Sequence, residues 1–148
     1  MKRLATLAAT ALLALLATPL IAQDGNMSGA WIVQLPHNMA GKEQRIEQDE
    51  NTFTRGHDLV GHQMTYTLDG VESRSVMPTP MGSIVILGTA KMVGRQVVID
   101  ETVHLPTGER RRAKLTFWLA GDGKLYHNIA EIVNGKEQPP LKIVLRRK

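Results

Sequence analysis

Apolar and polar residues alternate with a period of two along most of the chain beyond residue 28, and this pattern predicts β-strands. Trp31, Val33 and Leu35, for example, share one face of the first predicted strand. No segment beyond residue 23 places apolar residues at the i, i+3, i+4, i+7 spacing of an amphipathic helix. The predicted strands cover residues 30–35, 45–48, 52–54, 63–68, 71–77, 84–92, 96–103, 111–119, 125–133 and 141–146.

Turn-forming residues separate these segments. Asp69-Gly70 and Asn134-Gly135 predict tight hairpins, because a type I′ turn needs positive φ at both of its central residues. Asp69-Gly70 is the stronger of the two signals. We expect the stretch from Pro78 to Gly82 to interrupt strand pairing, since proline removes a backbone donor. Residues 135–140 predict a loop or a pause before the final strand.

Strands that follow one another through short turns pair antiparallel, so the chain predicts an all-β, up-and-down meander of eight to ten strands. A meander of this length has two unpaired edges unless it closes on itself. We therefore expect a small barrel in which the first and last strands pair. An open sandwich of two sheets is the alternative.

The first 22 residues have a different character and predict a secretory signal peptide. Lys2 and Arg3 precede an apolar run over residues 4–16, and a small residue, Ala22, stands at the expected cleavage point. An uncleaved membrane anchor is the alternative, but the stretch from Leu4 to Ala22 is barely long enough to span a bilayer. We expect a periplasmic or secreted bacterial protein without stable membrane insertion after cleavage, with a flexible leader at 23–28 and one domain at 29–148.

Composition narrows the chemistry. The chain has 148 residues and no cysteine, which excludes disulfides, cysteine-ligated metals, a cysteine nucleophile and a lipoprotein anchor. The formal net charge of +4 includes Lys2 and Arg3, so the mature domain carries only a small positive charge. Trp, Tyr and Phe occur twice each, too few for a base-stacking platform. We expect no nucleic-acid partner.

Several short motifs together resemble one family. Gly29-Ala30-Trp31 is a Gly-x-Trp at the start of the first strand, and residues 66–70 read Tyr-Thr-Leu-Asp-Gly. Residues 117–120 form an aromatic strand end before the turn at 121–125, and basic residues end the last strand. With these motifs the mature chain resembles small bacterial exported lipocalin-like, or calycin-like, barrel domains. The resemblance implies a barrel fold and small-molecule binding.

The chain departs from lipocalins proper, since it has no Thr-Asp-Tyr motif, no cysteines and no room for a C-terminal helix. In lipocalins a basic side chain from the final strand covers the Gly-x-Trp tryptophan. The resemblance therefore implies a closure contact of Gly29 and Trp31 with Arg146 or Arg147. We favour Arg146, because Leu141, Ile143 and Leu145 form the core-facing set of that strand.

Candidate ligand-lining residues are Tyr66, Phe117 and His127, each of which lies on a predicted strand with alternating apolar and polar residues. His57, Asp58 and His62 suggest a metal site, but zinc needs three or four ligands, and a solvated loop explains this spacing better. No serine lies in a Gly-x-Ser-x-Gly elbow. We therefore expect no cofactor and no metal, and the sequence leaves enzymatic activity open while favouring a non-catalytic role.

Two basic runs, 110–112 and 146–148, suggest anionic partners, but solvent-facing charges that protect a sheet edge explain them more simply. Two functions from different classes remain. One is a carrier that binds a small apolar or amphipathic molecule in the barrel. The other is a structural or protein-interaction module of the cell envelope with a filled core, which contacts its partner through an exposed edge at 45–55.

Overall fold

The computed structural model describes residues 25–56 and 61–148. The predicted signal peptide and the first two residues of the predicted leader lie outside the described residues. The strands are β1 (Gly29–Leu35), β2 (Glu43–Gln48), β3 (Thr52–Gly56), β4 (Gln63–Thr67), β5 (Ser73–Thr79), β6 (Gly82–Val93), β7 (Gln96–His104), β8 (Arg110–Leu119), β9 (Leu125–Val133), β10 (Lys136–Glu137) and β11 (Leu141–Arg147). A single 3-10 turn, His37–Met39, follows β1 within this described part.

All strands belong to one antiparallel sheet with the order β4-β3-β2-β1-β11-β9-β8-β7-β6-β5, and β10 pairs with β9. The prediction of an all-β antiparallel meander is confirmed. The first and last strands do pair, with Trp31 opposite Arg147 and Val33 opposite Leu145. The sheet curls into a nearly closed barrel. Its seam lies between β4 and the β5–β6 hairpin, not between the first and last strands.

The segment around Asp69-Gly70 spans this seam. Asp69 forms an isolated antiparallel bridge with Lys91 of β6, and the Gly70 N–H donates to the Ala90 carbonyl at 2.9 Å. Of the dipeptide, Gly70 alone has positive φ (80°). The tight Asp69-Gly70 hairpin was therefore predicted wrongly. The Asp69 carboxylate accepts the Val71 N–H at 3.0 Å, and this local turn directs the chain across to β6.

The Asn134-Gly135 prediction is confirmed. Both residues have positive φ, 47° and 81°, and Val133 pairs with Lys136 across the turn. The predicted interruption near Pro78 is wrong, because pairing continues from Pro78 opposite Ser83 to Thr79 opposite Gly82. β5 can contain Pro78 because it is the last strand in the sheet order and pairs on one side only. The backbone N–H that proline lacks is therefore not needed for pairing with a second strand.

The core fills the inside of the barrel. Along most strands its buried side chains alternate with more exposed ones on the outer face, which is the arrangement that the period of two predicts. The buried apolar side chains of the strands include Trp31, Val33, Ile46, Phe53, Met64, Ile86, Ala90, Val97, Ile99, Val103, Leu115, Phe117, Leu125, Ile143 and Leu145. Residues 45–55 are not an exposed edge, because β2 and β3 both have neighbours on either side. That expectation is corrected.

One end of the barrel is closed by the residues just before β1. Met27 is fully buried, its N–H donates to Gln48 at 2.9 Å, and its carbonyl accepts the Trp31 indole N–H at 2.8 Å. The described part of the predicted flexible leader, residues 25–28, is therefore packed against the barrel. These residues pack there for two reasons. The Met27 side chain is apolar, and the buried Trp31 indole N–H needs a hydrogen-bond acceptor, which the Met27 carbonyl provides.

The closure contact involves Arg147, not the favoured Arg146. The Arg147 guanidinium lies 4.6 Å from the centre of the Trp31 ring, and its Nη1 donates to the Ser28 carbonyl at 3.0 Å. Residues directly opposite in an antiparallel pair point to the same face, and Arg147 stands opposite Trp31, whereas Arg146 stands opposite the outward Ile32. Gly29 makes room, since a Cβ there would lie 3.0 Å from Arg147 Nη1.

Candidate functional site

A group of polar side chains lies inside the otherwise apolar barrel. Arg55 of β3 and Glu101 of β7 form an ion pair, with Nη2 and Oε2 3.3 Å apart, and their side chains are 0% and 3% exposed. The hydroxyl of Tyr66 on β4 donates to the same Glu101 oxygen. These three side chains, together with Phe117 and His127, are called the interior cluster below. Its members come from strands on opposite sides of the barrel.

Strand alternation places each member of the cluster. Arg55 follows buried Phe53 at a spacing of two, Tyr66 follows Met64, and Glu101 lies between Ile99 and Val103. Each polar residue therefore occupies an inward position on a strand whose other inward positions are apolar.

Gly88 of β6 makes room for the Tyr66 ring. A Cβ at position 88 would lie 2.7 Å from Tyr66 Cε1, closer than side-chain carbons approach one another. The absence of a side chain at Gly88 is therefore a condition for the Tyr66–Glu101 hydrogen bond. In this strand interior the glycine marks a close approach of a ring to the backbone.

Stacked rings extend the cluster. The His127 and Phe117 rings are 3.9 Å apart with an angle of 20° between their planes, and Phe53 lies 5.1 Å from Phe117. The Arg55 guanidinium lies 5.6 Å from the centre of the Phe117 ring. Tyr66, Phe117 and His127, named from the sequence as ligand-lining candidates, are thus brought together through Arg55 and Glu101, and all three are fully buried.

Sequence reasoning missed Arg55 and Glu101. Arg55 stood in a segment interpreted as an exposed edge, and Glu101 stood in the predicted strand 96–103 without being singled out. A signal was available, because each lies two residues from a buried apolar residue and so shares its face. Alternation alone gives two choices of inward face for a short strand, and only the neighbouring strands decide between them.

Burial controls the electrostatics of the cluster. Loss of solvent raises the pKa of Tyr66 well above its ordinary value of 10.0; the Arg55 charge lowers it, and the negative charge of Glu101 raises it further. Tyr66 is therefore a neutral hydrogen-bond donor to a carboxylate that Arg55 also binds. A buried ion pair contributes little net stability, yet removing one partner costs roughly 3–5 kcal/mol because the other charge stays buried.

A recess opens beside the connection between β1 and β2, next to Gly56 at the end of β3 and Gln63 at the start of β4. It has a volume of about 320 Å³, with apolar side chains Val33, Met39 and Ile143 and polar side chains Lys42, Gln44 and Arg45 in its lining. This region is called the open-end recess. Gly56 also lines it, and the Gly56 carbonyl accepts the Arg55 Nη1–H at 2.9 Å. Gly56 therefore belongs to the lining of the recess and is also hydrogen-bonded to Arg55 of the interior cluster.

The residues that suggested a metal site are His57, Asp58 and His62. His57 and Asp58 lie outside the described residues, and His62 is exposed. Among the described residues, no group of three or more His, Asp or Glu side chains lies close enough to hold a metal ion. In the same part of the chain, no helix has the length and apolar character needed to cross a membrane.

Fold and site together define a small, nearly closed antiparallel β-barrel with a buried ion pair inside it and a recess at one end. No model of a known protein family matches the chain, and no curated protein matches it at a significant level.

Proposed function

We propose that this protein is an exported, lipocalin-like binding protein that carries a small amphipathic molecule in the open-end recess. The observation that supports this most is the hydrogen bond that joins Arg55 of the interior cluster to Gly56 in the lining of that recess. A buried ion pair is an expensive way to fill a barrel, since apolar residues of similar volume are often as stabilising or more so. Buried polar groups next to a cavity are typical of binding sites.

The lining of the open-end recess indicates the ligand class. Its volume of about 320 Å³ falls at the lower end of the range found for small-molecule sites. Apolar Val33, Met39 and Ile143 would contact the hydrocarbon part of the ligand, and Lys42 and Arg45 would bind a polar or anionic group. Tyr66, Phe117 and His127 already fill the barrel beneath, so they would support the floor of the site through Arg55.

Export is the second part of the proposal. Its support is the charged, apolar and small-residue order of residues 1–22 in the sequence. A carrier of amphipathic molecules has a role between two membranes, where such molecules are poorly soluble.

Displacement of a fluorescent fatty acid from the purified protein tests ligand binding. Met39→Glu places a charge on the apolar wall of the recess and should weaken probe binding at least tenfold. The matched control is Met81→Glu, because Met81 is 75% exposed on a turn and does not line the recess. Met39 also packs against the core, so Met39→Glu should lower the melting temperature somewhat, and binding is compared at a temperature at which both variants are folded. Equal binding by both variants, or no binding by the wild type, would contradict the proposal and favour an interaction module.

A further inference from the structure

A second concave region lies on the outer face of the barrel. It has a volume of about 790 Å³ and lies over the outward side of β6, β7, β8 and β9. Glu72, just before β5, and Glu137 of β10 stand on its two sides. This region is called the outer groove. It is separate from the open-end recess, whose lining residues it does not share.

Three basic side chains run along the floor of the outer groove. Arg110, Arg112 and Lys114 are alternate residues of β8, all exposed and all in the groove lining. Alternate strand residues are about 7 Å apart, which is within a Debye length at physiological salt, so their charges repel one another. None of the three forms an ion pair with a carboxylate in the described part of the chain.

Protection of a sheet edge does not explain these charges. Edge strands use lysine and arginine to prevent pairing with other molecules. β8, however, is a central strand that pairs along nine positions with β7 on one side and nine with β9 on the other. Interpretation of this run as edge charges is therefore wrong for residues 110–112, and a cost in repulsion is left without a structural benefit.

The residues opposite these three side chains on β7 differ, and the difference favours Arg110 and Arg112 as the anion-binding pair. Lys114 stands opposite Asp100, which offsets its charge, whereas Arg112 stands opposite Thr102 and Arg110 opposite His104. Arg110 and Arg112 thus have no carboxylate directly opposite them on β7, and Arg112 has Ile132 opposite it on β9. A pair of guanidinium groups binds a dianion with several oxygens better than it binds a single carboxylate. A phosphate group is such an anion, with about −1.5 to −2 charges at neutral pH.

The other lining residues of the outer groove indicate which class of phosphorylated molecule would fit. Leu87, Ile132 and Pro140 supply apolar lining near the basic row. Glu72 and Glu137 would repel a long polyanion that passed out of either side of the groove. We infer that the outer groove binds a small phosphorylated organic molecule, with its phosphate on Arg110 and Arg112 and its organic part on the apolar lining.

Calorimetric titration of the full protein with phenyl phosphate tests this inference, and benzenesulfonate provides a ring of similar shape with a single negative charge. Phenyl phosphate should bind with one-to-one stoichiometry and about tenfold more tightly than benzenesulfonate. Arg112→Gln should weaken phenyl phosphate binding by about fivefold or more, as expected for loss of a charge-assisted contact on a solvated surface. The double variant with Arg110→Gln should show no measurable binding.

Lys124→Gln is the matched control, because it removes the same charge from the turn at the other end of the β8–β9 hairpin. It should leave the affinity unchanged. Equal affinities for the two probes, or equal losses in Arg112→Gln and Lys124→Gln, would overturn the inference. Vesicles of phosphatidylglycerol separate a soluble ligand from a membrane surface. Binding to these vesicles without binding to phenyl phosphate would also overturn it and would indicate a lipid surface instead.

Discussion

At the scale of single residues, two glycines leave the space that larger side chains occupy. Gly88 and Gly29 each stand where a Cβ would collide with a functional neighbour, the Tyr66 ring in one case and the Arg147 guanidinium in the other. Gly29 also has φ of 140°, which few other residues adopt. The interior cluster therefore depends on a missing methyl group at Gly88, and Gly29 leaves the space that the Arg147 guanidinium occupies.

Gly88→Ala should destabilise the protein by about 1–3 kcal/mol, the usual cost of overpacking a filled core. The added methyl would displace the Tyr66 ring and weaken its hydrogen bond to Glu101. Urea unfolding measures the change. Gly121→Ala is the control, since a Cβ at Gly121 has no neighbour within 4 Å among the described residues. An unchanged free energy of unfolding in Gly88→Ala would show that the ring has another position available.

At the scale of elements, the barrel has one strong junction and one weak seam. β1 pairs with β11, and Arg147 covers Trp31 at this junction. The two ends of the sheet, β4 and β5, meet at the seam, where the bridge of Asp69 to Lys91 and the Gly70–Ala90 hydrogen bond hold β6. Few backbone hydrogen bonds cross the seam, so it is the place where local opening should begin.

A double-mutant cycle tests the junction. Trp31→Leu and Arg147→Ala should show a coupling free energy of about 0.5–2 kcal/mol, the range of a cation–π contact. The pair Trp31→Leu and Arg146→Ala should show none, because Arg146 points to the outer face opposite Ile32. The free energies of unfolding of the single and double variants measure both couplings. Equal coupling for the two arginines would disprove the assignment to Arg147.

At the scale of the whole molecule, the barrel keeps a neutral phenol and an ion pair away from water. The folded state raises the pKa of Tyr66 by burial, whereas the unfolded state leaves it at about 10. Below this value both states hold the proton. Above it the unfolded state releases the proton and the folded state retains it, so stability falls as pH rises.

Stability should therefore fall on raising the pH from about 9 to about 11, and Tyr66→Phe should lose less over this interval than the wild type does. Tyr126→Phe is the comparison, because Tyr126 carries the only other phenol and stacks on Trp118 on the outer face. Partial desolvation and the nearby Asp122 carboxylate also raise the pKa of Tyr126, but it is far less buried than Tyr66, so this variant should lose nearly as much stability as the wild type. Urea unfolding at the two pH values measures the loss. Equal losses in the two variants would show that Tyr66 ionises freely in the folded barrel.

Local pattern was sufficient for the strands. The alternation in segments such as 96–103 and 111–119 predicted their extent closely, because each such strand has one face in the core and one in water. Asn134-Gly135 likewise predicted its hairpin, since a type I′ turn depends on two adjacent residues. Strand existence and the all-β class follow from such short-range signals. The pairing of first with last strand was predicted from the whole chain, because a long meander leaves two unpaired edges unless it closes.

Other features depend on which strands become neighbours, and tertiary structure alone decides these. Asp69-Gly70 has the composition of a hairpin, yet it bridges to β6 because the closing barrel brings that edge close. Arg55 and Glu101 lie 46 positions apart, and they become partners because two curved strands face each other across the interior. Arg147 covers Trp31 because the register of β11 on β1 sets the face of each side chain. Alternation determines that a strand has two faces, while curvature and register determine what each face meets.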